Sequence, residues 1–258
     1  MPPAHDDPSG KRDEPPPRDE SPPRDDSRMR DELNEYKRLA AQSAVEFVKS
    51  GMVVGLGHGT TAGFAIARIG ELLRARTLNN IVGIPCSRIT EAEARRSGIP
   101  TGILESHPEI DLTIDGADEV DPQLNMIKGG GGALLREKVV AEASKRCIYI
   151  IDESKLSPRV GTLRSVPVEV IPFAWKPVSR YLQSLGATSV VRREVVGRPF
   201  LTDEENFILD CTFGPLNDPG DLGGAVRRRA GVIEHGLFLG LATDVIVSGP
   251  SGLRHMTR

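Results

Sequence analysis

Residues 111–140 read DLTIDGADEVDPQLNMIKGGGGALLREKVV. The alternation of Leu112, Thr113 and Ile114 predicts a short strand. Asp115 and Asp118 follow at once, with Gly116 and Ala117 between them, the glycine giving the backbone room to turn. Then come Lys128, the run Gly129, Gly130, Gly131 and Gly132, and a helical segment that carries Glu137. A glycine run is costly in conformational entropy and packs nothing, so it calls for a reason. The reason read here is a ligand approaching bare backbone N–H groups at a helix N-terminus, where anionic groups are held. A strand, two acids, a base, a donor-rich loop and a helix together form one unit of an α/β sheet, with the composition of a catalytic site.

The same unit recurs outward from this stretch. Upstream, Leu33, Tyr36, Leu39, Ala40, Ser43, Ala44, Phe47 and Val48 recur at helical spacing up to the C-cap glycine Gly51. A strand over 52–57, a helix over 61–76, a strand over 80–84 and a helix over 87–97 are expected next. Downstream come a helix over 133–145 and a strand over 147–153. Strands alternating with helices imply right-handed crossovers and a parallel sheet covered on both faces. Ligands of such sheets bind at the carboxyl ends of the strands, and three chemically loaded loops, 57–61, 115–118 and 152–155, fall there. The second half reads as a strand over 166–171, a helix over 176–185, strands over 188–196 and 200–213 joined by a turn, and a helix over 218–229. That β-α-β-β-α-β order predicts a small antiparallel α+β unit. Two further apolar runs, 236–241 and 242–249, are free to return to the first sheet.

Composition bounds the function classes. A net charge of −3 gives no long-range attraction for nucleic acid or acidic membranes, and no apolar run reaches the ~18 residues of a transmembrane helix. Cys86, Cys147 and Cys211 are odd in number and widely spaced, which fits small buried side chains in a reducing compartment rather than a disulfide framework. Residues 1–30 are built from Pro, Asp, Glu and Arg with almost no apolar side chain, so a solvated tail is expected there, with neither a signal peptide nor a mitochondrial presequence.

The segment from Gly55 to Gly63, GLGHGTTAG, is a strand–turn–helix suited to an anion. Gly57 to Ala62 also fits the G-x-G-x-x-A dinucleotide form, but Pro85, Cys86 and Ser87 stand where its partner acid belongs. Phosphate held by backbone N–H groups and the hydroxyls of Thr60 and Thr61 fits better, against the alternative of a tight turn alone. Glu137 shares a helical face with Ala133, Val140, Ala141 and Ser144, where a carboxylate is partly desolvated and its pKa rises toward the range useful to a general base. His5, His58, His107, His235 and His255 lack ligand spacing for a transition metal, while the two aspartates leave a Mg²⁺ site open.

The blocks GHGTTA, DGADEVD, IKGGGGALLREK, DESK and PVEVIPFA, in this order and spacing, resemble the signature blocks of the ribose-5-phosphate isomerase A family. The resemblance runs from about Leu33 to the C-terminus. It implies an aldose–ketose isomerase of the non-oxidative pentose phosphate pathway, without metal or cofactor, cytoplasmic and homodimeric or homotetrameric. The implied architecture is α/β: a Rossmann-like parallel-sheet domain over 31–163 and 235–258, with an inserted ferredoxin-like α+β lid or oligomerisation domain over 164–234. By the same resemblance Glu137 is the base that moves a proton between C2 and C1 of D-ribose 5-phosphate. Asp115 and Asp118, with Gly116 and Ala117 between them, bind the sugar hydroxyls and assist ring opening. Lys128 stabilises the oxyanion together with the N–H groups of Gly129, Gly130 and Gly131. His58, Gly59, Thr60, Thr61 and Lys155 hold the phosphate, joined by Lys37. His58 departs from the family's phosphate loop, which typically has threonine there. Two other readings of such a chain are a sugar-phosphate sensor and a coenzyme A transferase. A sensor has no use for Glu137 and Lys128 together, and the phosphate loop suits a sugar phosphate better than coenzyme A.

Overall fold

The computed structural model describes residue 1 and residues 26–258. Most of the expected N-terminal tail, residues 2–25, lies outside the described residues. Helix α1 (Asp26–Val45) opens several residues before the composition change at Asp31. An i,i+4 pair of Arg28 with Glu32 supports that extra turn.

The chain then runs through β1 (Val53–Leu56), α2 (Thr60–Arg74), β2 (Val82–Pro85), α3 (Arg88–Arg96) and β3 (Leu112–Gly116). Two short strands, β4 (Glu119–Val120) and β5 (Met126–Ile127), precede α4 (Leu134–Glu142), β6 (Cys147–Asp152) and a 3-10 turn over Glu153–Lys155. The second half comprises β7 (Val166–Val170), α5 (Trp175–Ser184), β8 (Ser189–Arg192), the hairpin β9 (Glu194–Val195) and β10 (Arg198–Pro199), β11 (Phe207–Thr212), α6 (Pro219–Arg227) and β12 (Val232–His235). The chain closes with β13 (Leu237–Phe238), β14 (Asp244–Gly249) and β15 (Gly252–Thr257).

Six strands form the main sheet in the order β15-β14-β6-β3-β1-β2, parallel except for the β14–β15 pair. Every residue of β6 and β14 is buried, as expected of parallel strands covered on both faces. Ala40, Ala41 and Ala44 give α1 a face small enough to lie on one side of the sheet with α2, while Tyr149, Met126 and Phe238 fill the other side. The decisive feature is β1. It pairs with β2 on one side and β3 on the other, so the chain leaves it in opposite directions and a crevice opens at the carboxyl ends of β1 and β3.

A four-stranded antiparallel sheet, β12-β7-β11-β8, carries α5 and α6 and has its own apolar core around Val168, Val178, Leu182 and Leu209. Its β-α-β-β-α-β order is the one expected. Two expectations are corrected here. The run 188–196 is not one strand: it breaks at Arg193, and the segment 200–206 is irregular before β11. Of the two apolar runs after His235, only the second rejoins the main sheet. Leu237–Phe238 pairs instead with Met126–Ile127 in a small three-stranded sheet, β13-β5-β4, which ties the two larger sheets together. Among the described residues no helix is long and apolar enough to cross a membrane.

Candidate active site

The crevice beside β1 and β3 holds a cavity of about 160 Å³ lined by Lys37, His58, Gly59, Thr60, Thr61, Gly116, Ala117, Asp118, Lys128, Gly129, Gly130, Gly131, Glu137 and Lys155. Every expected site residue is on that wall except Asp115. Each arrives for a local reason. Gly59, at φ 94°, makes the turn that starts α2 with Thr60 and Thr61 in its first turn, so the amides and hydroxyls face one point. Lys155 ends the 3-10 turn at the carboxyl end of β6, and Lys37 comes across from α1. These two ammonium groups and the α2 terminus make one end of the cavity basic.

The other end is built around a buried lysine. Lys128 is 2% exposed, and its Nζ donates to Gly116 O at 2.6 Å, pairs with Asp115 Oδ2 at 2.9 Å and pairs with Glu137 Oε1 at 3.1 Å. It also sits over the rings of Tyr149 and Phe238 at 5.5 and 5.4 Å. The paired carboxylates outweigh desolvation and raise its pKa, so it stays charged. Glu137, on the first turn of α4, is pushed up to about 8 by burial, with Lys128 opposing and Asp115 reinforcing the shift. Its Oε2 is buried and has no hydrogen-bond partner.

Asp115 lies behind this wall. Its Oδ1 accepts the amides of His58 at 3.0 Å and Gly116 at 2.7 Å, and its Oδ2 is taken by Lys128. A side chain at Gly57 would put its Cβ 2.1 Å from Asp115 Oδ1, so the close approach of β1 to β3 needs glycine there. Asp118 is the accessible acid: its Oδ2 accepts Gly130 N–H at 2.8 Å. Among the described residues one trio could converge on an ion, Cys86 with Asp115 and Glu137. The Lys128 ammonium already stands between the two carboxylates of that trio and supplies the positive charge they face.

His58 contributes its ring as well as its amide. Nδ1 is 3.0 Å from Ser87 Oγ, the N-cap of α3, and the opposite ring edge lies against Gly131, where an added Cβ would come within 2.4 Å. The ring thus spans from the phosphate-type loop to the glycine loop.

Sequence reading missed the residues that fix this site from outside. Lys138, next to Glu137 but on the other face of α4, is buried and donates to Glu234 Oε1 at 2.8 Å, His235 O at 2.6 Å and Leu237 O at 2.9 Å, pinning α4 to β12 and β13. Glu119, fully buried, accepts four successive amides, from Gly161 to Arg164, at 2.9 to 3.1 Å. Partners 40 to 100 residues away leave no local pattern.

The family model described as ribose 5-phosphate isomerase A (phosphoriboisomerase A) matches residues 82–252. The chain is 57% identical over 220 residues to the ribose-5-phosphate isomerase A of Desulfatibacillum aliphaticivorans, covering 85% of this chain and 96% of that one. With the enzyme of the same name from Chloroflexus aurantiacus it shares 53% identity over 221 residues, 86% and 92% of the two chains. A solved D-ribose-5-phosphate isomerase in complex with phospho-erythronic acid superposes with a TM-score of 0.85 at 38% identity, covering 88% of this chain and 99% of that one. The ribose 5-phosphate isomerase of Plasmodium falciparum superposes at 0.84 with 36% identity, over 88% and 99% of the chains. With the family model, the relatives and the fold in agreement, this chain belongs to the ribose 5-phosphate isomerase A family.

Proposed function

We propose that this chain interconverts D-ribose 5-phosphate and D-ribulose 5-phosphate, with Glu137 carrying a proton between C2 and C1. The observation that carries the reading is the Glu137 carboxyl group. One oxygen is held by Lys128, the other is buried and unpartnered, and the residue lines the cavity. A desolvated carboxylate with a free lone pair is a stronger base than one in water, and its position is fixed.

The basic end of the cavity, with Thr60, Thr61, Lys155 and Lys37, takes the phosphate and so places the sugar carbons toward Glu137. Asp118 meets the sugar hydroxyls and assists ring opening. Asp115 acts through its neighbours, holding Lys128 and the His58 amide in place. Glu137 then removes the C2 proton of the open-chain aldose, the C1=C2 bond forms, and negative charge develops on O1. Once protonated, Glu137 no longer needs the Lys128 N–H it was accepting. That donor turns to the oxyanion, so positive charge is delivered as negative charge appears. The hydroxyl proton passes from O2 to O1, and Glu137 returns its proton to C1 to give the ketose.

The test is direct. The purified full chain, given ribose 5-phosphate with EDTA present, is expected to reach a ribose–ribulose 5-phosphate equilibrium mixture seen by proton NMR. No turnover would contradict the reading, and turnover abolished by EDTA would contradict its metal-free chemistry.

The same reading makes the four-stranded unit, residues 164–234, a lid and oligomerisation domain of a cytoplasmic homodimer or homotetramer. Phe173 and Val196, 95% and 96% exposed on that unit, support an interface there, and three free buried cysteines fit a reducing compartment. Light scattering after gel filtration is expected to give a dimer or tetramer mass, and a monomer would contradict it.

A further inference from the structure

The glycine loop is held by an arginine from the other sheet. Arg193, at the break between β8 and β9, sends its NH1 to Gly129 O at 2.8 Å and Gly130 O at 3.1 Å. Its Nε and NH2 form a fork with Asp210 of β11 at 2.9 and 2.5 Å, which fixes the guanidinium plane. Phe200, under the same guanidinium, packs on Gly132, where an added Cβ would lie 2.3 Å from the ring.

A trans peptide is planar, with its N–H opposite its C=O. Drawing the Gly129 and Gly130 carbonyls toward Arg193 therefore turns the amides of Gly130 and Gly131 to the other side, where Asp118, His58 and the cavity lie. The Gly130 amide is seen there, donating to Asp118 Oδ2 at 2.8 Å. Gly131 lines the cavity, and no described residue accepts its N–H in a backbone or side-chain hydrogen bond. That N–H is left for a ligand, on the peptide whose carbonyl Arg193 holds. The positive charge on the carbonyl side also polarises both peptides in the sense that strengthens their N–H groups as donors.

We propose that Arg193 is a positioning residue for the isomerisation: through the Gly129 and Gly130 carbonyls it aims the Gly131 N–H at the oxyanion that forms on the sugar. The proposal rests on the isomerase reading for the identity of that oxyanion, but the aiming of the loop does not. A lysine offers no planar fork and cannot satisfy Asp210 and both carbonyls together.

The experiment compares the full-length wild type with Arg193→Gln and Arg193→Lys, using steady-state kinetics on ribose 5-phosphate, hydrogen exchange by mass spectrometry and melting temperature. A donor used in the transition state costs kcat more than KM, so kcat is expected to fall about tenfold or more in Arg193→Gln with KM changed less than about threefold. Arg193→Lys should recover part of the loss. Exchange should quicken in the peptide covering 129–134, while the main-sheet peptides keep wild-type rates. Wild-type kcat together with unchanged exchange at 129–134 would overturn the proposal. Faster exchange throughout the protein would also overturn it, because Arg193 would then hold the fold rather than the loop. If the wild type itself fails to isomerise ribose 5-phosphate, the function reading fails, and the exchange at 129–134 still decides for or against Arg193.

Discussion

At the scale of single residues the site turns on protons whose places the hydrogen bonds dictate. Thr90 Oγ1 donates to Gly57 O at 3.0 Å, so it must accept from Ser87 Oγ, and the one proton of Ser87 is spent. Ser87 can then only accept from His58, which places the ring proton on Nδ1 and leaves Nε2 a bare acceptor in the neutral imidazole. Facing a phosphate, that bare Nε2 has no proton to donate. His58→Thr, which offers a hydroxyl proton where the ring offers none, is therefore expected to lower KM for ribose 5-phosphate while altering kcat little. An unchanged KM would mean that the ring only braces Gly131. Glu137 gives a second expectation, in stability. Its pKa is raised from the ordinary 4.5 to about 8, so its contribution to stability is present at low pH and lost as pH rises through about 8. The amide of Glu137→Gln avoids that loss. Its melting temperature should gain on wild type between about pH 5 and pH 8.5, and a constant difference across that range would contradict a desolvated carboxyl. Glu137, Lys128 and Asp118 were legible in the sequence because their spacing around a glycine run has few other uses. The inward role of Asp115 was not, because it depends on which amides the fold brings to it.

At the scale of elements, buried charges do the joining. Glu119 gathers the amides of Gly161, Thr162, Leu163 and Arg164, the turn that carries the chain out of the main sheet toward β7. In Glu119→Gln one oxygen becomes an NH₂ group that faces amide donors instead of accepting from them. Equilibrium denaturation is expected to show a loss of about 3 kcal/mol, and a loss under about 1 kcal/mol would contradict the clamp. Apart from β15, the strands of the main sheet were readable as apolar runs alternating with patterned helices. The three-stranded sheet was not. Leu237–Phe238 and Met126–Ile127 are two-residue strands, and apolar character alone cannot say which sheet such a pair joins. The strand β15 was missed because GLRHMT is a mostly exposed edge with no apolar alternation. The break at Arg193 was missed for a different reason: its side chain is drawn away from the strand by Gly129, Gly130 and Asp210.

At the scale of the whole molecule, the main sheet supplies the chemistry and the second sheet holds it in shape. The crevice exists because β1 has neighbours reached in opposite directions, which places the loops after β1, β3 and β6 at one rim. Lys138, Arg193 and Phe200 then connect that rim to the four-stranded unit or its flanks, so the glycine loop and α4 are fixed from both sides. This division was partly legible, since the βαβ repeat announces the rim and the glycine run announces the loop. The contacts across sheets are long-range and leave no local pattern. The central claim is that Glu137 alone moves the carbon-bound proton. The measurement is deuterium exchange from D₂O into ribose 5-phosphate and ribulose 5-phosphate, followed by NMR, for wild type and Glu137→Gln, with substrate affinity measured separately by calorimetry. Wild type is expected to place deuterium at C2 of the aldose and C1 of the ketose. Glu137→Gln is expected to lose about a thousandfold or more of that rate while affinity stays within about tenfold. Exchange in Glu137→Gln above about a tenth of the wild-type rate would mean that another group is the base.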